Sequence, residues 1–235
     1  MGLYFITFGG GGDYYIKAGE RIIRQANALN LFDKTILYTD EMLRNDQQFW
    51  DKHSQFIQNN RRGYGYWLWK PYIIKKTMEQ LNDGDVLLYL DAGCELLIHK
   101  KEKLQKYIEI VKNDLIIGTV FADKEKHWNK MDCILKLEML DDHYLNSHQR
   151  QGGTNMFYVC DRTRHLVNNW YEIACDYHII DDSPSISTNM EGFIDHRHDQ
   201  AIFSLLTKKY NIYSSYRLDD AIEIVRNFSH CSKFS

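Results

Sequence analysis

An apolar run in the first half of the chain ends in a carboxylate. Val86–Leu90 is followed by Asp91, by the small residues Ala92 and Gly93 and, two positions further on, by Glu95. Oxygen ligands of this kind suit Mg²⁺ or Mn²⁺, which keep coordination positions open for phosphates. Small residues let a diphosphate lie close to the backbone. The alternative is an aspartate that only caps the turn after a strand, and residue types alone leave both interpretations open.

A second block, RRGYGYWLWKP at positions 61–71, combines aromatic rings, glycines and cations. Aromatic rings suit a nucleobase or a sugar face, and basic side chains suit a diphosphate. We interpret Trp67 and Trp69 as core residues. Lys70 is the candidate functional cation of this block.

A third block, FIDHRHDQ at positions 193–200, places several ionisable groups before a predicted helix. Asp199 can be the N-cap of that helix, or it can take part in acid–base chemistry. His196 and His198 would share a face only in extended backbone. Because no third ligand follows at a recognisable spacing, a zinc site is not predicted.

A run of four glycines and a separate glycine pair can bring the backbone into contact with a ligand. Gly9–Gly12 follows a strand and opens a helix, which leaves N–H groups free for a ligand. Its spacing is not GxGxxG, and no GK[ST] follows, so a P-loop is excluded. Gly152 and Gly153 precede another strand and can let a sugar approach the backbone. A plain turn remains the alternative in both places.

Strands and helices alternate along most of the chain, which predicts a mainly parallel sheet with helices on both faces. Ligands of such sheets collect beyond the carboxyl ends of the strands. The predicted strands are Leu3–Phe8, Lys34–Thr39, Val86–Leu90, Leu115–Phe121 and Thr154–Val159, with a short one at 211–214. The predicted helices are Asp13–Asn30, Glu41–Trp50, Trp67–Leu81, Lys100–Lys112, Arg162–Tyr177 and Asp199–Tyr210; residues 51–63 are predicted to form a loop.

Composition restricts the class of protein. With 235 residues, 44% hydrophobic content and a net charge of −3, the chain suits one globular domain over 1–235 and not a general nucleic-acid binder. No signal-peptide pattern and no apolar run of membrane-spanning length is present, so we expect a cytoplasmic protein without a membrane span. The five cysteines are odd in number and widely spaced, which predicts reduced thiols.

Taken together, the blocks resemble a known family. GYGYWLWKP, VLLYLDAGCEL, QGGTNMF and HRHDQAIFSLL, in this order, are similar to segments of the small bacterial and large-virus GT-A glycosyltransferases, with YWLWKP and LYLDAG the most specific. The similarity runs from Leu3 to Leu206. It implies a Rossmann-like GT-A fold and transfer of a sugar from a nucleotide-diphosphate sugar, such as a UDP-sugar, to a hydroxyl of a glycan.

The resemblance also implies roles for individual residues. Asp91 matches the first acid of the metal-binding DxD motif, but Gly93 stands at the second. Glu95 or a water can complete the coordination of Mn²⁺ or Mg²⁺, or Lys70 and arginines can replace part of the metal's charge. The implied donor-binding residues are Thr7, Phe8, Gly9, Arg62, Tyr66, Lys70, Asp91, Ala92 and Gly93. The implied substrate-binding residues are Gly152, Gly153, Gln200, Lys130 and Asp132, and the implied catalytic residues are Asp199 and His198.

For an inverting transfer, Asp199 is the candidate base that deprotonates the acceptor; for a retaining transfer, it stabilises positive charge at the sugar carbon. Two other functions compete with the transferase. The missing second acid favours a catalytically silent module that binds a nucleotide or glycan. The His196, His198 and Asp199 group suggests a metal-dependent hydrolase.

Overall fold

The computed structural model of the chain describes residues 1–212 and 217–234. Its strands are β1 Leu3–Gly9, β2 Lys34–Thr39, β3 Val86–Leu90, β4 Cys94–Glu95, β5 Ile116–Lys124, β6 His148–Tyr158 and β7 Glu223–Ile224. Its α-helices are α1 Asp13–Leu29, α2 Asp40–Asn45, α3 Gln47–Asn59, α4 Gly63–Tyr66, α5 Trp69–Met78, α6 Lys101–Asp114, α7 Glu125–Trp128, α8 Met131–Lys136, α9 Asp142–Leu145, α10 Asp161–Ala174, α11 Tyr177–Ile180 and α12 His198–Lys209. Short 3₁₀ helices lie at Ile98–Lys100 and Leu218–Asp220.

Five strands form the central sheet in the order β2-β1-β3-β6-β5. The pairs β1–β2 and β1–β3 are parallel, and β6 is antiparallel to both β3 and β5. Four strands therefore point in one direction and β6 in the other. Every residue of β3 is buried because the strand lies between two neighbours and both faces of the sheet are covered. The prediction of a mostly parallel α/β sheet is confirmed.

Helices cover both faces of this sheet. On one face, Ile22 and Ala26 of α1 pack with Leu104 and Val111 of α6. On the other face, α5, α10 and α12 supply a larger apolar cluster that includes Trp170. Packing of these helices removes apolar surface on both faces of the sheet from water. This burial is the main favourable contribution to the free energy of folding.

The connections on either side of β1 run over opposite faces of the sheet. α1 carries the chain from β1 to β2, and the return to β3 passes through α5 on the opposite face. β1 and β3 are therefore neighbours whose connections run to opposite sides. Such a switch point is where open α/β sheets bind ligands.

The predicted loop at 51–63 is wrong over most of its length, because α3 extends from Gln47 to Asn59. Phe49, His53 and Ile57 recur at a spacing of four and are buried, so they form the inward stripe of an amphipathic helix. Asp46 caps the helix by accepting a hydrogen bond from the Phe49 N–H at 3.3 Å. The residues between these positions are mostly polar, and for this reason the segment was predicted to be a loop.

Two further predictions are wrong at one end. β6 begins at His148 and not at Thr154, so Gly152 and Gly153 lie within the strand and not before it. The helix predicted over Glu41–Trp50 is divided at Asp46 between α2 and α3. The remaining boundaries lie closer to the predictions. The predicted helix at Trp67–Leu81 is shorter, beginning at Trp69 and ending at Met78, with Pro71 in its first turn. Part of the predicted strand at 211–214 lies outside the described residues. Among the described residues no helix has the length and apolar character needed to cross a bilayer. The five cysteines are free thiols.

Candidate functional site

Asp91 lies at the carboxyl end of β3, beside the switch point. Its N–H donates to the Gly153 carbonyl at 2.8 Å, which fixes the backbone against β6. Tyr89, two residues earlier on the same face of the strand, donates its hydroxyl to Asp91 Oδ1 at 2.6 Å. The Asp91 side chain nevertheless keeps 44% of its surface exposed. This carboxylate is positioned by the sheet and is open to a ligand.

Lys70, on the first turn of α5, lies directly behind Asp91. Its Nζ is 3.3 Å from Asp91 Oδ1 and 3.2 Å from Asp199 Oδ2, although only 4% of the side chain is exposed. Burial lowers the pKa of Lys70, but the carboxylates of Asp199 and Asp91 outweigh it and leave that pKa raised. The side chain is therefore a buried ammonium ion held between two acids.

Asp199 belongs to the first turn of α12 and is almost completely buried. Burial raises the pKa of its carboxyl to about 6, against the opposing effect of Lys70. Its Oδ2 is enclosed and makes no directed hydrogen bond among the described residues, although Lys70 is close enough for an ion pair. The Asp199 carbonyl accepts a hydrogen bond from the Trp170 indole at 2.9 Å, which fixes the start of the helix. We call Lys70, Asp91 and Asp199 the ion triad.

Gly152 and Gly153 make room for the two acids of the ion triad. A Cβ on Gly153 would lie 2.2 Å from Asp91 Oδ2, and a Cβ on Gly152 would lie 3.2 Å from Asp199 Oδ2. At Gly153 this distance leaves no space for a side chain while the Asp91 carboxylate stays in place, and at Gly152 a side chain would require a shift of a few tenths of an ångström. The glycines were predicted to let a sugar approach the backbone, and in the structure the acids occupy that space. The two blocks thus form one site.

The end of β1 lies beside the end of β3 at this edge of the sheet. Thr7 donates its hydroxyl to the Leu90 carbonyl at 2.7 Å, which ties the end of β1 to the end of β3. Phe8 stacks on Trp69 with ring centroids 3.8 Å apart. A Cβ on Gly9 would lie 2.8 Å from the Tyr15 carbonyl, so glycine permits close packing against α1. These side chains pack internally, and Gly9 brings the glycine loop to the edge beside Asp91.

Arg62, Tyr66 and His198 form a layer next to the ion triad. Arg62 pairs with Asp182 at 2.8 Å and with Asp195 at 3.3 Å. His198 stacks on Tyr66 at 4.9 Å and shares a hydrogen bond of 2.8 Å between its Nδ1 and the Ile180 carbonyl. Burial lowers the pKa of His198, so the ring is neutral near pH 7. This layer fastens the segment before α12.

Gln200 positions the glycine pair. Its Oε1 accepts a hydrogen bond from the Gly152 N–H at 3.1 Å, and its Nε2 donates to Gln149 Oε1 at 2.8 Å. Gln200, predicted to bind substrate, also holds Gly152 in place through these hydrogen bonds.

Lys130 and Asp132 lie in a separate cluster. Lys130 Nζ donates to the Asp181 carbonyl at 3.1 Å and to the Ser183 carbonyl at 3.2 Å, and pairs with the Asp181 carboxylate at 3.1 Å. The Asp132 carboxylate accepts hydrogen bonds from the backbone of Ile186 at 2.6 Å and of Ser187 at 3.0 Å. The structure does not bring this pair to the ion triad; their contacts hold the segment 181–187.

His196 has both ring nitrogens engaged by the protein. Its Nδ1 accepts from the Lys130 N–H at 3.3 Å, and its Nε2 bonds to the Ile179 carbonyl at 2.9 Å. With these bonds in place the ring has no lone pair for a metal. The geometry therefore gives no support to the hydrolase alternative.

The residues beside Asp91 do not fit a two-acid metal site. The Glu95 carboxylate accepts from Asn227 Nδ2 at 2.7 Å, from the Lys233 N–H at 2.9 Å and from Gln25 Nε2 at 2.9 Å. Burial raises the pKa of Glu95, but these bonds and one from Ser232 outweigh it and lower that pKa. The structure thus places Glu95 against the end of the chain, and the described residues contain no group of three or more His, Cys, Asp or Glu arranged for a metal.

Comparisons with known proteins give only distant similarities. No family model and no curated protein matches the chain. A glycosyltransferase involved in glycosylation of the major capsid of PBCV-1 is 8% identical, with a TM-score of 0.42, over 75% of this chain and 68% of that one. Mouse xyloside xylosyltransferase 1 is 11% identical, with a TM-score of 0.44, over 88% and 82%.

A mannose-6-phosphate isomerase from Helicobacter pylori is 10% identical, with a TM-score of 0.41, over 98% of this chain and 95% of that one. Two of these three proteins are described as glycosyltransferases and the third as an isomerase. Because they match only at this level, the function proposed below is supported by the geometry of the site.

Two residues of the site were missed from the sequence. Tyr89 bonds to Asp91, and its position two residues earlier on the same strand was a usable signal. Arg21 is 2% exposed on the inward face of α1, where Ile22 and Ala26 are also buried. A charged residue within an apolar helix face indicates a buried polar partner. Two of its four partners, the carbonyls of Ala92 and Cys94, lie just after Asp91.

Proposed function

We propose that the protein is a glycosyltransferase that takes a sugar from a nucleotide-diphosphate sugar and transfers it to a hydroxyl of a glycan. One observation carries this proposal: the buried Lys70 ammonium joins an exposed acid, Asp91, to a buried acid, Asp199, at the carboxyl edge of the sheet. The edge lies at the switch point, where α/β sheets bind nucleotides. The glycine loop after Gly9 supplies backbone N–H groups on its other side.

In this proposal Asp91 contacts the donor. An exposed carboxylate is a strong acceptor for sugar hydroxyls, and the bonds from Tyr89 and Lys70 hold it in one orientation before the ligand arrives. Gly153 permits that orientation because any side chain there would overlap the carboxylate.

Asp199 supplies negative charge beside the reacting carbon. An inverting transfer uses it as the base for the acceptor, and a retaining transfer uses it to stabilise positive charge on the sugar. Both courses require the ionised carboxylate. Its pKa of about 6 means that the ionised form predominates at neutral pH.

The experiment is a screen of sugar nucleotides by thermal shift, followed by measurement of nucleoside diphosphate release with the best donor. A ligand at a concentration about 100 times its Kd stabilises the folded state by about 2.7 kcal/mol, which is readily seen. We expect one class of donor to raise Tm and to be turned over. If no sugar nucleotide raises Tm, the proposal is wrong.

A second candidate is a module that binds a nucleotide or glycan without catalysis. The burial of Asp199, with 4% of its side chain exposed, and the glycine at position 93 favour it. Nucleoside diphosphate release separates the two candidates. The module raises Tm with the same donor but releases no diphosphate in the presence of any acceptor.

A further inference from the structure

The end of the chain covers the turn that follows Asp91. A Cβ on Gly93 would lie 3.2 Å from Arg226 Cα and 3.2 Å from a ring carbon of Phe228. The Gly93 carbonyl accepts a hydrogen bond from the Asn227 N–H at 2.8 Å. We call residues 225–234 the C-terminal segment. A second acid at position 93 has no room unless this segment moves.

Buried hydrogen bonds fasten the C-terminal segment to the turn. Arg21 donates from Nη1 to the carbonyls of Asn227 and Ser229 at 2.7 and 2.8 Å. It donates from Nη2 to the carbonyls of Ala92 and Cys94, both at 2.8 Å. One guanidinium therefore joins the two stretches of backbone. Because both are held from one side, the position of residue 226 relative to the Asp91–Gly93 turn is fixed.

Among the cations that the structure describes near this turn, Arg21, Lys70 and Lys233 have partners. Arg21 uses both terminal nitrogens on carbonyls, and Lys70 lies between two carboxylates. Lys233 donates to the Val225 carbonyl at 3.1 Å. Arg226 is exposed and makes no hydrogen bond or ion pair with the residues that the structure describes. Its backbone is fixed at the turn while its guanidinium stays available.

We propose that Arg226 binds the diphosphate of the donor at the Asp91–Gly93 turn, and that this binding requires no divalent cation. The inference rests on the proposed function. A diphosphate needs positive charge, and a guanidinium supplies it through paired hydrogen bonds that match phosphate oxygens. A metal at this place would find Asp91 alone, because Gly93 brings no carboxylate and Glu95 is bonded to the C-terminal segment. Asp91 then serves the hydroxyls of the donor.

The test is titration calorimetry of the full chain with UDP, GDP and inorganic pyrophosphate, first with EDTA and then with Mn²⁺. We expect one of these probes to bind with EDTA and to gain less than about twofold from Mn²⁺. Arg226→Ala should weaken that binding about tenfold or more, because charge-assisted hydrogen bonds to phosphate are lost. Arg226→Lys should recover part of it. Lys106→Ala, which removes the same charge from the exposed side of α6, should leave it unchanged.

Each opposing outcome has a distinct meaning. Binding that appears only with Mn²⁺, or that is equally tight in Arg226→Ala, overturns this inference and leaves the proposed function standing. An equal loss in Lys106→Ala shows a general effect of charge and also overturns it. If no probe binds under either condition, both the inference and the proposed function fail.

Discussion

Two buried lysines of this protein pair with aspartates, and only one of them indicates a site. Lys130 donates to the carbonyls of Asp181 and Ser183 as well as to a carboxylate, so its donors are satisfied within the fold. Lys70 contacts the carboxylates of Asp91 and Asp199. Of these two acids, Asp91 is exposed and Asp199 has an oxygen without a directed hydrogen bond.

The difference shows that burial of a charge pair is a poor indicator of function. A buried ion pair whose hydrogen-bonding capacity is fully used holds structure together. An ion pair at the edge of a sheet that still has unused hydrogen-bonding capacity is a candidate ligand-binding site. The contrast between the ion triad and the Lys130 cluster leads to four predictions.

The largest effect is expected from replacing the two lysines with methionine. Lys70→Met leaves Asp199 as a buried charge without its partner, so we expect the free energy of unfolding to fall by about 3–5 kcal/mol. Lys130→Met should cost about 1–3 kcal/mol, since its carbonyl partners lose hydrogen bonds. Denaturant unfolding measures both. Of the two folded variants, only Lys130→Met should keep the Tm increase with the sugar nucleotide; equal loss in both would remove the contrast.

The next effect concerns the room beside Asp91. Gly153→Ala places a Cβ 2.2 Å from Asp91 Oδ2 and displaces the carboxylate. A displacement of about 1 Å at a reacting site costs about 100-fold in rate, and we expect that loss in kcat/KM. Asp91→Gly removes the overlap, so adding Gly153→Ala to it should cause little further loss. If Gly153→Ala lowered kcat/KM as much in the Asp91→Gly protein as in the wild type, Gly153 would not act by making room for Asp91.

The third prediction concerns pH. We expect turnover to rise as the pH passes about 6, because Asp199 must lose its proton to act. A raised pKa in the folded state means that the fold holds this proton more tightly than the unfolded chain does. The contribution to stability is therefore present at low pH and is lost as the pH rises towards 6. A pH–rate profile of the wild type against Lys130→Met checks the assignment; a limb that shifts in Lys130→Met would place the titration elsewhere.

The smallest effect is expected at Asp132. Burial raises the pKa of this carboxyl, but hydrogen bonds from Ile186, His178 and Ser187 outweigh it and lower that pKa. Asp132→Asn weakens these bonds, so we expect a loss of about 1 kcal/mol. Faster amide exchange should be confined to segment 181–187, with turnover nearly unchanged. A large fall in turnover without faster exchange would instead support contact with the substrate.

The sequence was sufficient for the sheet and for its carboxyl edge. The apolar run Val86–Leu90 predicted the central strand, and the acid after it is where the exposed carboxylate lies. Helix α3 was missed because its buried stripe, which includes Phe49 and Ile57, is separated by polar residues. Periodicity with a spacing of four was present, but the overall polarity outweighed it.

The meeting of Lys70 with Asp199 could not be predicted from local patterns. It depends on β6 running antiparallel to β3, which brings Gly152 and Gly153 past the end of that strand. The role of Arg21 depends on where the C-terminal segment returns, and no local signal specifies that. Long-range pairings of this kind are set by topology, so residue types indicate candidates but not their partners.

The central claim is that Asp91 is the group that receives the donor. Titration calorimetry of the best sugar nucleotide into the wild type and into Asp91→Asn tests it most directly. We expect the wild type to bind and the variant to bind at least about tenfold more weakly, because a charge-assisted acceptor is lost. Equal affinity in the two proteins would contradict the account.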